Sequence, residues 1–262
     1  MAHMTDTQPP SETVAGFYDV TASFYDTMTD MEERIVHERP FFRVLVERYG
    51  IRRALDAGSG TGMHSLLLAH LGVEVVGVDI SREMLTRLQE HARNHGVSVH
   101  TIQADLTHLP TADIGKVDGV FCLGNTVAHV LSREDLSLTL SGFRSVMKEN
   151  GLLVLHTLNY RRIAGDRETE LNRRERGGKT FRRSYTPAGG LLVFQTTVSD
   201  IPQNGATLLV QTVLHRPWPE TELNDALANS GFSDVQIYGG IDLREFLPDE
   251  SRDVVILARP AS

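Results

Sequence analysis

The sequence predicts an α/β protein: a seven-stranded, mostly parallel sheet with helices on both faces, a helical segment ahead of it, and a small antiparallel sheet inserted late. Three observations carry this reading. From Arg53 to Thr157, short apolar runs alternate with helical patterns, as strand–helix units with right-handed crossovers do. The first run, Ala54 to Ala57, opens directly into Gly58-Ser59-Gly60-Thr61-Gly62, and the second, Val73 to Asp79, ends in an acid. Beyond Thr180, three β-rich runs follow one another across turn sequences with no helix between them.

Taken in order, residues 12–50 read as helices. Phe17-Tyr18-Asp19 and Phe24-Tyr25-Asp26 form a near repeat seven residues apart, which sets both on similar helical faces. Glu32 to Tyr49 is a second helical pattern, with Pro40 as its expected break and Gly50 as its cap. After the first strand, Met63 to Leu71 is a helix that packs Leu66, Leu67 and Leu68 inward. Ser81 caps the helix Arg82 to Asn94. Val97 to Gln103 is strand three, Val117 to Leu123 strand four, Leu131 to Met147 a helix, and Gly151 to Thr157 strand five, entered through a turn at residues 148–151. The β-rich runs are Thr180 to Tyr185, Leu191 to Val198 and Thr207 to Leu214, with turns at residues 187–190 and 202–205. The helix Glu220 to Ser230 and the strands Asp234 to Tyr238 and Asp253 to Ala258 close the chain. The division expected is a polar tail with a tag remnant (1–11), a helical lid (12–50), the core (51–160), the inserted sheet (161–217) and the closing elements (218–262).

Composition narrows the function classes. The single cysteine, Cys122, excludes an intrachain disulfide and a cysteine-based metal cluster, and no histidine pair has the H-E-x-x-H spacing of a metal site. No apolar run reaches the roughly 20 residues of a membrane span and no secretory pattern opens the chain, so a cytoplasmic protein is expected. A formal net charge of -8 argues against a nucleic-acid partner. The basic run from Arg161 to Arg183 reads either as a solvated loop and strand face or as a wall for an acidic group.

The glycine turn separates ligand classes. A dinucleotide fingerprint needs a third glycine where Met63 stands. The pattern present, D-x-G-x-G-x-G with an acid at the end of the next strand, resembles the class I S-adenosylmethionine-dependent methyltransferases, a Rossmann-like fold. Residues 122–129 and 151–160 resemble more narrowly the glycine and sarcosine N-methyltransferase branch, and the likeness covers roughly residues 54–160. In that branch an arginine before the Asn-Tyr pair holds the amino-acid carboxylate. Here that position is Leu158, which argues against glycine as substrate.

The resemblance implies S-adenosylmethionine as cofactor and S-adenosylhomocysteine as product. Ala57, Gly58, Ser59 and Gly60 would approach it through the turn, and Asp79 would accept the ribose hydroxyls. Asp105 and Leu106 would meet adenine, which Ile80 and Met84 cover, and Leu123 follows strand four. Tyr18 and Tyr25 would close over the cofactor, and Arg34 would hold its methionine carboxylate in a planar fork. His129 is the candidate base, or else a histidine satisfied by backbone at a helix start. Asn125, Asn159, Tyr160, Arg161 and Arg182, with Arg183 beside it, are the candidate contacts to a small-molecule acceptor whose nitrogen, oxygen or carbon takes the methyl group. A nucleic-acid methyltransferase and a non-catalytic cofactor-binding protein are the alternatives. The inserted strands cap the site, pair across a homodimer, or do both.

Overall fold

The computed structural model describes residues 13–163, 167–200 and 207–261. Helices α1 (Val14–Thr29) and α2 (Met31–Tyr49) lead into β1 (Arg53–Ala57), α3 (Met63–His70), β2 (Glu74–Asp79), α4 (Arg82–Asn94) and β3 (Val99–Gln103). A short α5 (Thr111–Ile114), β4 (Val117–Cys122), α6 (Arg133–Val146) and β5 (Met147–Leu158) complete the parallel part. Then come β6 (Thr169–Arg176), β7 (Lys179–Ala188), β8 (Leu191–Asp200) and β9 (Thr207–His215), followed by α7 (Glu220–Asn229), β10 (Phe232–Tyr238) and β11 (Asp253–Pro260). The core sheet has the order β10-β11-β5-β4-β1-β2-β3, parallel except that β11 runs antiparallel to both β5 and β10. The second sheet is an antiparallel meander, β6-β7-β8-β9.

The core divides along the two sheet faces. Leu55, Val76, Val78, Val120, Leu153 and Ile256 pack with Leu140, Phe143, Trp218 and Leu223 on one side. Ala54, Val75, Phe121, Val154 and Val255 pack with Phe42, Leu45, Leu67 and Leu68 on the other. Strands buried on both faces read as continuous apolar runs, which is why the parallel sheet was visible in sequence.

Three expectations need correcting. Pro40 does not break α2: Pro40 and Val36, whose carbonyl loses its helical partner, both lie on the exposed face, where that carbonyl is not shut away from solvent. The turn expected at 148–151 is a bulge within β5: Val117 pairs with Met147, and Gly119 already pairs with Leu152. The inserted sheet has a fourth strand, β6, inside the charged run. The turn after β7 is Gly189-Gly190, both at positive φ, and Pro187 still pairs with Leu192. Proline is tolerated there because β6 ends its pairing with β7 at Tyr185, leaving the far side of Pro187 without a ladder. The turn expected at 202–205 lies outside the described residues.

The tripeptide repeat in α1 turns out to be a three-way connector. Its phenylalanines reach the inserted sheet: Phe17 lies 5.8 Å from Phe194 and Phe24 lies 6.4 Å from Phe181, ring centre to ring centre. Its aspartates reach α4. Asp19 accepts from the Ser81 hydroxyl at 2.6 Å, and Asp26 pairs with His91 at 3.2 Å. Its tyrosines face the carboxyl ends of the core strands, described below.

Helix α4 packs close over the glycine turn at Gly62, whose φ is 96°. A Cβ there would sit 2.6 Å from Leu88 Cγ. Gly62→Ala combines this overlap with a left-handed backbone and is expected to cost about 2 kcal/mol, measurable as a lowered midpoint in urea unfolding.

Candidate active site

In an open α/β sheet, ligands lie beyond the carboxyl ends of the strands. Here the ends of β1 to β4 border a cavity of about 350 Å³. Gly58, Ser59, Gly60, Asp79, Ile80, Asp105, Leu106 and Leu123 line it from the core, and Tyr18, Tyr25 and Arg34 from the N-terminal helices. A second cavity of about 710 Å³ opens toward the inserted sheet. Tyr18, Tyr25, Arg34, Gly124 and His129 border both cavities.

Asp79 organises the first cavity. One carboxylate oxygen accepts from the Gly60 amide at 2.8 Å and the other from the Ser81 amide at 2.9 Å. Burial pushes its carboxyl up to about 6, although those two amides favour the charged form. A carboxylate has about four acceptor positions, so acceptors remain for a ligand diol. Gly60 stands at φ 54°, and a Cβ there would meet only the Tyr25 ring at 4.0 Å. The space a side chain would take is open for a ligand. Ser59 Oγ is buried without a partner among the described residues. Asp105 accepts from the Thr107 amide at 2.9 Å and hydroxyl at 2.8 Å through one oxygen, and its other oxygen is available. An unused buried hydroxyl, spare carboxylate acceptors and an open glycine cradle together fit a ribonucleoside.

Arg34 is aimed by a residue that the sequence reading missed. Its Nε donates to Glu38 Oε1 at 2.8 Å, and Glu38 Oε2 lies 3.2 Å from His64. Burial raises the Glu38 carboxyl, but His64 and Arg34 more than offset this and hold it down at about 2. The i, i+4 spacing of Arg34 and Glu38 was the available signal.

His129 ends a 3-10 turn, Thr126–His129, that follows Asn125 in the left-handed region. Its Nε2 shares a 2.7 Å hydrogen bond with the Tyr18 hydroxyl. Burial pulls the imidazole down to about 4, so the ring is neutral near pH 7. Burial also raises Tyr18 well above its ordinary value and keeps the phenol protonated. Among the described residues, His129 Nδ1 is buried without a partner. Beside it, with ring centres 4.2 Å apart, is His215, whose Nδ1 meets the Tyr185 hydroxyl at 2.6 Å and whose Nε2 also has no partner among the described residues. No local pattern in β9 singles out His215.

Several candidates lie elsewhere than expected. Ala57 and Met84 are buried and line neither cavity. Asn125 borders the second cavity, but its side chain is engaged. Oδ1 accepts from the Thr157 hydroxyl at 2.8 Å and the Leu158 amide at 3.1 Å, and Nδ2 donates to the Tyr185 hydroxyl at 3.2 Å. The Tyr160 hydroxyl is spent on Asn125, 3.0 Å away, and Tyr160 lines neither cavity. Asn159 borders the second cavity while donating to the carbonyls of Pro248 and Ser251. Arg161 pairs with Glu220 and Asp249, and Arg182 with Glu168 and Glu170, outside both cavities. Alternation along β7 explains the last case. Phe181, Arg183 and Tyr185 share the inner face and Arg182 points to the other.

Comparison with known proteins agrees with this geometry. Residues 54–151 match the family model described as a methyltransferase domain. The glycine/sarcosine N-methyltransferase of Halorhodospira halochloris is 36% identical over 149 residues, covering 57% of this chain and 54% of its own. The chain spans about half the length of the curated relatives it matches. Among solved structures, an S-adenosylmethionine-dependent methyltransferase from Clostridium acetobutylicum superposes with a TM-score of 0.79 at 14% identity, covering 94% of this chain and 99% of that one. The sugar N-methyltransferase KedS8 from a Streptoalloteichus species superposes at 0.71 and 18% identity, covering 100% and 99%. Residues 54–151 thus match the methyltransferase-domain family, within a chain that shares the fold of that S-adenosylmethionine-dependent methyltransferase.

Proposed function

We propose that this protein is an S-adenosylmethionine-dependent methyltransferase acting on a nitrogen or oxygen of a small molecule. The observation that carries the proposal is the Tyr18–His129 pair on the wall shared by two cavities, one of them built to fit a ribonucleoside. Asp79 would hold the ribose hydroxyls, Asp105 and Leu106 the adenine, and Arg34 the methionine carboxylate. Bound there, S-adenosylmethionine supplies an electrophilic methyl group on a cationic sulfur.

The chain's own residues do the rest by placement. Tyr18, Tyr25 and His129 would bring an acceptor in the second cavity up to the shared wall. Holding reactants aligned in a closed site supplies on the order of 7–11 kcal/mol. In the tautomer whose Nε2–H donates to the Tyr18 oxygen, the buried Nδ1 of the neutral His129 would be the nitrogen left to take a proton from an acceptor that packs against it. An imidazole pulled down to about 4 is a weak base, so proximity contributes more than proton abstraction. Matches to N-methyltransferases favour an amine over a hydroxyl, while the apolar Leu158 argues against glycine and sarcosine.

Isothermal titration tests the cofactor first. Wild-type protein is expected to bind S-adenosylhomocysteine, with affinity reduced roughly 10–100-fold in Asp79→Asn, the loss expected for a charge-assisted hydrogen bond. The pH dependence follows from burial. Asp79 is protonated below about 6 in the free protein and then offers fewer acceptors, so affinity should fall as pH drops through 6. The same raised carboxyl destabilises the free protein as pH rises through that range, so stability and affinity should move in opposite directions. A flat affinity between pH 5 and 8 contradicts the role given to Asp79.

With an accepted amine, His129→Gln should lower kcat by about 100-fold, at the low end for general base residues, with little change in cofactor affinity. Measurement of released S-adenosylhomocysteine reads this. The same assay with glycine and sarcosine should stay at background, and turnover of either refutes the argument from Leu158.

A further inference from the structure

The second cavity carries a charge that no described residue neutralises. Arg183 lies on the inner face of β7 between Phe181 and Tyr185, both buried, on a surface otherwise turned to α1 and the apolar cluster around Phe17. A guanidinium has five N–H donors. Among the described residues one is used, Nε to Asn172 Oδ1 at 3.0 Å, and Arg183 has no ion-pair partner there. Arg162 and Arg252 border the same cavity and have no ion pair among the described residues either. The acids on its wall are already engaged: Glu38 by Arg34 and His64, Glu170 by Arg173 and Arg182, and Asp253 by His156 at 3.3 Å.

An unpaired cation on a half-buried face costs folding free energy unless an anion meets it when the protein works. Burial indeed pulls the Arg183 guanidinium down from its ordinary value. At the opposite extreme of chemistry, the unpartnered nitrogens of His129 and His215 are neutral and buried, suited to an N–H or O–H group rather than a charge. The cavity therefore offers two kinds of contact.

We propose that the second cavity takes an acceptor that carries a carboxylate or phosphate group docked on Arg183, with its nucleophilic nitrogen or oxygen presented at His129 and His215. Arg183 is a specificity residue that binds the part of the acceptor that does not react. Its planar fork suits both anions. Relative to the glycine and sarcosine relatives, the anion contact would come from the inserted sheet instead of the end of β5, where Leu158 stands. This inference rests on the methyltransferase reading for the word acceptor.

The test is calorimetric titration of the full chain, saturated with S-adenosylhomocysteine, with malonate and separately with pyrophosphate. Wild type is expected to bind at least one of them, less tightly as salt is raised. The tighter of the two assigns the anion as carboxylate or phosphate. Arg183→Gln should weaken that binding by about tenfold or more while its S-adenosylhomocysteine affinity stays at the wild-type value, which also shows that it is folded. Arg173→Gln, on an exposed pair, should bind the anion as wild type does. Should Arg183→Gln fail to fold, Arg183→Lys decides, since it keeps the charge and loses the fork: weaker anion binding supports the proposal and unchanged binding overturns it. Binding of neither anion, or equal binding by wild type and Arg183→Gln, overturns it. Failure of folded wild type to bind S-adenosylhomocysteine refutes the methyltransferase reading, whereas anion binding that depends on Arg183 stands apart from it.

Discussion

The carboxylate of Asp79 holds together pieces of chain that have no other reason to meet. Its two backbone acceptors fix the amide of Gly60, at the apex of the glycine turn, and that of Ser81, which begins α4. Ser81 in turn caps α4 through the Met84 amide at 3.1 Å and donates to Asp19 of α1. One buried acid thus sets the shape of the turn, starts the next helix and, through one intervening serine, anchors the N-terminal cover. Its raised pKa is the cost of that position. The charge must be kept out of water at the place where a polar ligand would later bring hydroxyls to it.

The cover is shared between two parts of the chain far apart in sequence. Phe17 packs with Tyr160, Tyr185, Leu192, Phe194 and Val213, so the outer wall of the second cavity is apolar cement between α1, the end of β5 and the inserted sheet. Met28, Phe181 and Val198 form a smaller cluster of the same kind. The polar network of Asn125, Tyr160, Tyr185 and His215 runs through this cement and satisfies hydroxyls that burial would otherwise penalise. A wall assembled from α1 and β7 changes on both sides when either element moves.

Legibility in the sequence followed the range of the physics involved. The glycine turn, the Ser81 cap and the acid ending β2 are local, because each depends on neighbours within a few residues. The parallel strands were readable because burial on both faces leaves continuous apolar runs. Strand β6 was not, since its exposed residues are charged and only pairing with β7 makes it a strand. Glu38 and His215 were missed for the complementary reason. Their importance comes from His64 and His129, brought near by folding: the i, i+4 spacing in α2 hints at the Arg34–Glu38 pair but not at His64, and no spacing in β9 announces His215. The basic run shows both limits at once: composition suggested a wall for an anion, but strand alternation decided that Arg183, and not Arg182, faces the cavity.

The elbow between α1 and α2 is a single residue, Asp30, in the left-handed region, and Arg174 and Arg176 of β6 both pair with its carboxylate. The far end of α1 is seated by Phe17 in apolar contacts. The ion pairs and the apolar contacts of α1 therefore answer to different solution variables. Screening over about 8 Å at physiological ionic strength weakens a surface pair but leaves apolar burial intact, and strongly excluded salts reinforce the latter. Raising ionic strength should thus loosen the Asp30 pairs between the elbow and β6, while Phe24 and Met28 near that end and Phe17 at the other keep α1 seated on the inserted sheet.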